Sequence, residues 1–472
     1  MSMFRNLISI PTESVPDTFI CKIKNTENSA VTPYIAFPVR SAYAGIPSIE
    51  VTIETSSGQS QTLTITGTDL TTKNDNGVNK LGRIEYFSAV SMAQDETATV
   101  TLYSKSKQFP SFSFCSSFLN NYWEKNARLC EVNTPLPVFV DGYCGSVLIN
   151  SLLTSLPNDL FQYGGSIKEL NHTFAYSSLV SVPEGLFNGL SKVTKASYLF
   201  SYSSKLATLP EGLFSGMTEV TDLSNCLDNC SALTSVPEGL FDGVTKVTNL
   251  RDMFNYCSSL VSIPAGLFNG MSKVTNLNSM FYSCEKLVSV PEGLFSGMTE
   301  VVSLSNMFRN CTSLTSIPAG LFNGMTKVTN LSNMFDSCKK LASIPAGLFS
   351  GMTKVNNLST LFGYCSALTS IPEGLFREQV NATDFRYCFR RVPAKAIHPN
   401  IFCNEATEKT TRFANVTPNF SNCFEELTGT VAGTAPALWE YTYKAEPKKT
   451  RCFSNNSTTT LSNYEDIPTE WK

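Results

Sequence analysis

Hydrophobic positions between about residues 150 and 390 recur at one fixed spacing. A proline followed four residues later by a phenylalanine occurs nine times, first after 26 residues and then seven times after 27. These prolines are Pro157, Pro183, Pro210, Pro237, Pro264, Pro291, Pro318, Pro345 and Pro372. A constant period of this length is typical of repeat proteins whose units stack on one another. The pattern therefore predicts a solenoid over residues 151–390.

Two further columns of apolar residues keep the same period. One is aromatic and comprises Phe254, Phe281, Phe308, Phe335 and Phe362. The other is a column of cysteines three residues further on, comprising Cys230, Cys257, Cys284, Cys311, Cys338 and Cys365. Free cysteine packs as a small hydrophobic residue, and neighbouring cysteines on parallel coils point the same way. We therefore expect reduced, buried cysteines with a structural role.

The residue pattern within one repeat predicts its local structure. Its apolar residues favour a short strand, which would contain Val328, Leu331, Met334 and Phe335. Gly347 and Gly351 predict tight turns around a short helical or 3-10 piece at Leu348–Phe349.

The repeat resembles known families. The run L-x-S-I-P-x-G-L-F-x-G-M-T-K-V-x-N-L resembles the leucine-rich repeats of extracellular recognition proteins. The run V-T-N-L-S-N-M-F-x-x-C-x-x-L resembles the BspA-like surface repeats of gut anaerobes and their phages. The resemblance covers roughly residues 145–390 and implies adhesion or recognition through the repeat surface. It also implies that cysteine replaces the asparagine ladder of most leucine-rich repeats.

The flanking segments do not keep the period. Residues 1–112 contain alternating segments, at Phe19–Lys24, Ile49–Glu54, Thr62–Thr66 and Thr97–Leu102, which predict an antiparallel β-sandwich. Residues 113–150, with Trp123, Cys130 and Cys144, are expected to cap the first coil.

The C-terminal segment is expected to end the repeat. In residues 391–472 and just before them the spacing F-x-x-C persists at Phe385–Cys388 and Phe420–Cys423, but at irregular separations. We interpret this segment as degenerate repeats and a C-terminal cap.

Composition excludes some partners. Apolar residues make up 42% of the chain, charged residues 16%, and the net charge is −3, which gives no basic surface for nucleic acid. No apolar run reaches the ~18 residues of a membrane helix. The first eleven residues are too weakly apolar for a secretory leader, so a complete chain would fold in a cytoplasm.

The sequence offers no catalytic constellation. The histidines are His172 and His398, and neither lies in a recognisable motif. Asp228, Asp252 and Asp336 fall near the expected binding face, which keeps glycoside cleavage open as a minor alternative. We predict a protein that is not an enzyme and needs no metal or cofactor.

Positions that vary while the repeat frame stays constant are the candidate binding face. They directly follow the aromatic column, and they are Tyr202, Asn255, Tyr256, Tyr282, Arg309, Asn310, Asp336 and Tyr364. Tyrosine, arginine and asparagine are common on recognition surfaces. Variation at solvated turns without a ligand is an equally good interpretation.

The sequence-based hypothesis is a virion-associated attachment, fibre or decoration protein of a phage. Residues 1–112 would dock to virion proteins, and the repeats would bind a glycan or protein of the host surface. A BspA-like adhesin on a bacterial cell surface and a purely architectural virion component are the alternatives. A homo-oligomer stays open, because particle fibres are often symmetric.

Overall fold

The computed structural model describes most of the chain. It covers residues 18–25, 30, 34–38, 48–65, 83–87, 91–104, 107, 109, 112, 128–139, 142–145, 147–403 and 406–472. The chain divides into two compact units. The first comprises Met1–Tyr143 with Asp159–Ile167, and the second comprises Cys144–Asn158 with Lys168–Lys472. The domain limits drawn from the sequence stay predictions.

The first unit contains seven described strands. They are β1 (Thr18–Lys24), β2 (Tyr34–Pro38), β3 (Ile49–Thr55), β4 (Ser60–Ile65), β5 (Arg83–Phe87), β6 (Thr97–Tyr103) and β7 (Arg128–Val132). Five of them form an antiparallel sheet in the order β4-β3-β6-β1-β7, and β2 pairs with β5 in a separate two-stranded sheet.

The expected alternation is confirmed in the larger sheet. Every second residue of β1, β3 and β6 is buried, so one face of these strands forms the core. Phe19 of β1 packs against Phe112, with ring centroids 5.4 Å apart. The sandwich arrangement stays a prediction. Of the expected cap, Trp123 lies outside the described residues, and Cys130 belongs to β7 of the sheet.

Single parallel bridges join successive repeats in the second unit. The bridged residues are Glu169, Lys195, Asp222, Asn249, Asn276, Ser303, Asn330, Asn357, Asp384, Asn419 and Lys448. Each repeat is therefore stacked on the next one in the same register. The described chain is rich in β-pairing and has almost no helix. The solenoid as a whole remains our interpretation of this stacking.

The strand predicted at Val328–Phe335 is wrong, because only Asn330 of this segment forms a bridge and a run of turns follows. Along this segment, successive backbone N–H groups donate in turn to a carbonyl of the same repeat and to a carbonyl of the next repeat. The N–H of Met334 donates to the carbonyl of Leu331 at 3.3 Å, whereas that of Phe335 donates to Leu361 of the next repeat at 3.0 Å. The same alternation continues along the segment, so its backbone donors are satisfied without a strand.

Two left-handed residues in each repeat produce these turns. They lie four positions apart, and their φ values fall between 52° and 63°. The first set is His172, Tyr198, Asn225, Asp252, Ser279, Asn306, Asn333, Thr360, Tyr387, Asn422 and Arg451. The second set is Tyr176, Tyr202, Asn229, Tyr256, Ser283, Asn310, Ser337, Tyr364, Arg391, Glu426 and Asn455. Because a left-handed residue reverses the local backbone twist, a regular strand cannot continue through either position.

The predicted aromatic column forms a continuous stack in the core. Its rings, which we call the Phe column, are nearly parallel from Phe254 to Phe362, with neighbouring centroids 5.5 to 5.7 Å apart. The phenylalanines of the proline anchors form a second buried column, in which, for example, Phe268 and Phe295 lie 6.0 Å apart. These rings supply much of the apolar surface that stacking buries.

The predicted cysteine column is buried, and its thiols donate hydrogen bonds. Each Sγ lies 3.1 to 3.3 Å from a carbonyl of the preceding repeat, as in Cys311 to Phe281. The acceptors are the carbonyls of Phe200, Leu227 and members of the Phe column. Burial raises the pKa of the Cys311 thiol, so it stays protonated and able to donate. Ser203 has the same role in an early repeat, where its Oγ donates to Phe174 at 2.9 Å.

The short helical piece expected around Leu348–Phe349 is wrong. These residues lie in hydrogen-bonded turns, although Gly347 and Gly351 do adopt the left-handed φ values of 70° and 79° that tight turns need. The 3-10 segments among the described residues lie elsewhere, at Gly164–Ser166, Ala394–Ala396, Ala406–Thr410, Leu438–Glu440 and Thr469–Trp471.

The repeats at the C-terminal end keep their stacking but not the register expected from F-x-x-C. Phe389, rather than Phe385, stacks on Phe362 at 5.8 Å. The stack then continues through Phe424 to Phe453. Cys388 therefore does not continue the cysteine column, because the F-x-x-C motif recurs four positions earlier in this repeat. The longer loops between these repeats explain their irregular separations.

The thiol–carbonyl bond can be tested at Cys311. We expect Cys311→Ala to lower the free energy of unfolding by about 1–2 kcal/mol, because it removes the donor and leaves a small void. Cys311→Ser should cost less, since its hydroxyl can donate to the same carbonyl as Ser203 does to Phe174. Urea unfolding of the three proteins, with Ser203→Ala as a matched control, measures the difference. A serine variant less stable than the alanine variant would contradict this role.

Candidate functional site

Two columns of side chains follow the Phe column and carry every predicted binding residue. The first outer column, directly after each phenylalanine, holds Asn255, Tyr282, Arg309 and Asp336. The second outer column, one position further on, holds Tyr202, Tyr256, Asn310 and Tyr364. Because the repeats are stacked in register, the structure brings these eight residues to one face of the second unit. We call this face the outer face.

The second outer column coincides with the second set of left-handed residues. Asparagine and serine occupy this position in five repeats, and tyrosine occupies it in four, at Tyr176, Tyr202, Tyr256 and Tyr364. Asparagine is enriched in the left-handed region, whereas a bulky residue there is uncommon. The left-handed conformation costs a residue with a Cβ roughly 1–2 kcal/mol. The four tyrosines therefore adopt a backbone conformation that is energetically unfavourable for them.

The middle of the outer face is joined by charge and ring contacts. Arg309 Nε lies 2.9 Å from Asp336 Oδ2 in the next repeat, and the carboxylate is almost fully buried. The Arg309 guanidinium also lies 5.8 Å from the ring of Tyr282 in the preceding repeat. Tyr282 in turn packs at 5.3 Å on Tyr256. Four successive repeats therefore contribute one connected group of side chains, in which Asp336 serves mainly to hold Arg309.

The N-terminal end of the outer face is aromatic. Tyr176 and Tyr202 stack with their centroids 4.6 Å apart and an interplanar angle of 4°. Beside them His172 and Tyr198, from the first left-handed set, stack at 4.6 Å. Sequence reasoning missed three of these four rings, because Tyr176 precedes the regular series and His172 and Tyr198 lie before the phenylalanine rather than directly after it. Their regular spacing of 26 residues was the available signal.

The three aspartates considered for catalysis lie in different environments. Asp252 Oδ2 is 2.7 Å from Arg251 Nε, and Asp336 pairs with Arg309 as described above. Asp228 is buried, and its Oδ2 accepts a hydrogen bond from Ser201 at 3.2 Å. Burial raises the pKa of Asp228 to about 7, and the neighbouring Asp252 adds to the shift. The absence of enzymatic activity stays a prediction.

The C-terminal end of the outer face is rich in arginine. Arg390 and Arg391 lie 5.6 and 5.4 Å from the ring of Tyr364. Arg391 Nε is 2.6 Å from Glu426, and Arg390 Nε is 3.0 Å from the buried Glu425. The two ends of the face therefore differ in chemistry, since carboxylates accompany the rings at one end and guanidinium groups at the other.

A column of asparagine and aspartate begins the turn segments of seven repeats, and sequence reasoning overlooked it. Its side-chain oxygens accept the N–H two residues on, for example from Ser332 to Asn330 at 2.9 Å and from Ser359 to Asn357 at 3.0 Å. Such Asx turns cap a backbone donor that the neighbouring repeat does not use. This column lies eight residues before the cysteine column, as at Asn330 and Cys338, so the replacement of an asparagine ladder by cysteine stays what the resemblance implies. The recurring spacing N-x-S was the overlooked signal.

The remaining candidate ligands are dispersed. His398 Nδ1 accepts the N–H of Asn400 at 3.1 Å, far along the chain from the stacked His172. Within the described ranges, no group of three His, Cys, Asp or Glu residues is arranged to hold a metal ion. The described part of the chain also contains no helix with the length and hydrophobicity of a membrane span.

The repeats match one protein family. The family is described as "Mycoplasma protein of unknown function, DUF285", and it matches residues 168–293, 214–318, 248–374 and 296–394. These overlapping matches extend over slightly less than half of the chain. They fall within the part that carries the bridged repeats, so this family shares the repeat rather than the first unit. No curated protein sequence has significant similarity to the chain.

One similar solved structure is a leucine-rich cell surface protein from Faecalibacterium prausnitzii A2-165. Its sequence is 19% identical, and the match covers 58% of this chain and 89% of that protein. The TM-score is 0.16. Because this score is so low, we infer neither structure nor function from the similarity.

The raised pKa of Asp228 predicts a pH-dependent stability difference. Between about pH 4, the usual carboxyl value, and pH 7 the folded protein holds a proton that the unfolded chain releases. Stability contributed by this group is therefore present below about pH 4 and falls as the pH rises towards 7. We expect Asp228→Asn to gain stability relative to the unmodified protein over this range, by at most about 4 kcal/mol.

Urea unfolding at several pH values between 4 and 8 measures this gain. Asp242→Asn is the matched control, because Asp242 is an exposed aspartate of the same repeat. The comparison separates the loss of a buried carboxyl from the loss of an exposed one. A difference for Asp228→Asn that stays constant from pH 4 to 8 would show that the carboxyl titrates normally.

Proposed function

We propose that this chain is a non-catalytic surface protein that recognises a glycan or protein through the outer face of a repeat solenoid. The observation that carries the proposal is the set of four tyrosines in left-handed positions. Residues held in unfavourable backbone conformations concentrate at functional sites. Asparagine fills the same position in neighbouring repeats at lower conformational cost, so stability alone does not account for tyrosine there.

The exposure of these side chains supports the same proposal. Tyr202 and Tyr256 are each 44% exposed, although most large apolar and aromatic side chains of the described repeats are buried. Arg309 keeps 38% of its side chain exposed while its pairing with Asp336 fixes its direction. Rigid aromatic and arginine side chains of this kind contribute strongly to binding, because little side-chain entropy is lost on contact.

The location that we favour is a bacterial cell surface, where the chain would act as an adhesin. The matching family is described from Mycoplasma, a cellular organism, and this supports the cell-surface interpretation over the virion one. In either setting we propose that the first unit provides attachment to the carrier and that the repeats face outwards. We also propose that no cofactor, nucleic acid or membrane insertion takes part. Several copies on one carrier would raise weak individual affinities through multivalency.

A binding experiment with whole cells tests the proposal. The labelled full chain is incubated with bacterial or host cells from its source environment, and bound protein is measured at increasing concentration. We expect the triple variant Tyr202→Asn/Tyr256→Asn/Tyr364→Asn to lose at least about tenfold in affinity, equivalent to about 1.4 kcal/mol. Asparagine is native to this left-handed column, so the melting temperature should not fall.

The matched control changes exposed side chains away from the outer face. Lys246 and Lys327 occupy one column of the repeat and pair with Glu219 and Glu300 at 2.6 and 2.5 Å. The double variant Lys246→Gln/Lys327→Gln should bind as the unmodified chain does, since exposed pairs contribute little. Equal binding by the triple variant, or equal loss in the control, would overturn the proposal that the outer face is the binding site.

A further inference from the structure

The outer face contains one gap between two exposed tyrosines. In the second outer column, Tyr202 and Tyr256 are separated by the single repeat that carries Asn229. Two repeats at the spacing of paired strands place the tyrosines about 10 Å apart. The smaller asparagine between them leaves the space above it open. The gap is therefore bounded by a ring at each end of the three repeats.

The two tyrosines that bound the gap, which we call its walls, each pack against a further aromatic ring. Tyr202 stacks at 4.6 Å on Tyr176, which belongs to the repeat before it. Tyr256 packs at 5.3 Å on Tyr282, which belongs to the repeat after it. Each supporting ring therefore lies on the side away from the gap. The left-handed backbone fixes the starting direction of both walls, so they are held apart before any ligand arrives.

The base of the gap is polar. Asp228 precedes Asn229 and lies close enough to interact electrostatically with both Tyr176 and Tyr256. Ser201 donates to its Oδ2 at 3.2 Å. Asn255 belongs to the same first outer column as Asp228, one repeat further on. The half-buried amide of Asn229 thus lies between the two rings, next to the buried carboxyl of Asp228, and it can accept and donate hydrogen bonds.

This combination fits a sugar ring. A six-membered ring inserted midway would lie about 5 Å from each tyrosine, within the usual range for stacked rings. A hexopyranose has C–H faces that pack on aromatic rings and hydroxyl groups at its edge that bond to amide groups such as that of Asn229. A purely apolar ring would leave the polar base without partners, which is costly. No arginine or lysine occupies the second outer column between Tyr176 and Tyr256 to favour an anionic ligand.

We infer that the gap between Tyr202 and Tyr256, above Asp228 and Asn229, binds one hexopyranose unit of a glycan. The inference rests on the proposed function and specifies the ligand class of the same face. Neighbouring units of the glycan would extend along the outer face, over the repeats on either side of Asn229. Affinity for a single sugar would be low, as is usual where one ring contributes most of the contact.

Saturation-transfer NMR on the full chain tests the inference. The probes are the methyl glycosides of glucose, galactose, mannose and N-acetylglucosamine, each titrated to tens of millimolar. We expect transfer from the protein to ring C–H protons of at least one glycoside. Tyr202→Asn and Tyr256→Asn should each weaken that binding at least tenfold, and Lys246→Gln, away from the outer face, should leave it unchanged.

Asn229→Tyr is the second test, because it fills the gap without removing either wall. Tyrosine already occupies the equivalent left-handed position in four repeats, so folding should be retained, as the melting temperature will show. We expect this variant to lose sugar binding. Absence of transfer to all four glycosides, or binding that survives Asn229→Tyr, would overturn the inference.

The whole-cell experiment separates this inference from the proposed function. Cells that still bind Asn229→Tyr but not the triple tyrosine variant would leave the outer face as the binding site and exclude the gap. If both variants bind cells as the unmodified chain does, the proposed function itself is overturned.

Discussion

Backbone hydrogen bonding between repeats is the constraint on which the rest of the second unit depends. Each turn segment sends alternate N–H groups to the next repeat and keeps the others for its own turns, as at Phe335 and Met334. Two left-handed residues per repeat make this alternation geometrically consistent. Because the donors are satisfied by the backbone, the side chains of the segment are free to divide into a buried set and an outward set.

The buried set has little freedom. A phenylalanine must stack on its counterparts above and below, as Phe308 does between Phe281 and Phe335. The residue three positions on must be small and able to donate to a carbonyl, which cysteine and serine both do at Cys311 and Ser203. Substituting a polar group without a donor, or a larger apolar group, would lose a bond or overpack the column. These requirements explain why the frame repeats so regularly.

The same requirements explain which features were predictable from the sequence. The period, the burial of the Phe and cysteine columns and the alternating strands of the first unit all follow from apolar spacing, and the structure agrees. The backbone conformation at Asn333 and Ser337 did not follow, because neither residue type demands a left-handed φ. The spacing of Leu331, Met334, Phe335 and Cys338 is that of an amphipathic helix, so periodicity alone did not indicate the successive turns that the structure shows. Only the structure shows that Phe389, and not Phe385, continues the Phe column after Phe362.

The outward set shows how a fixed frame can accommodate varied recognition. A substitution in the second outer column changes no backbone bond and no core contact, so its main cost is the left-handed preference of the new residue. The conformational cost is low at Asn229 and higher at Tyr202 and Tyr256, which lie in the repeats before and after it. An alternation of small and aromatic residues then produces spaces whose width is set by the repeat spacing rather than by loop length. The periodicity that stabilises the core therefore also determines the size of ligand group that the outer face can hold.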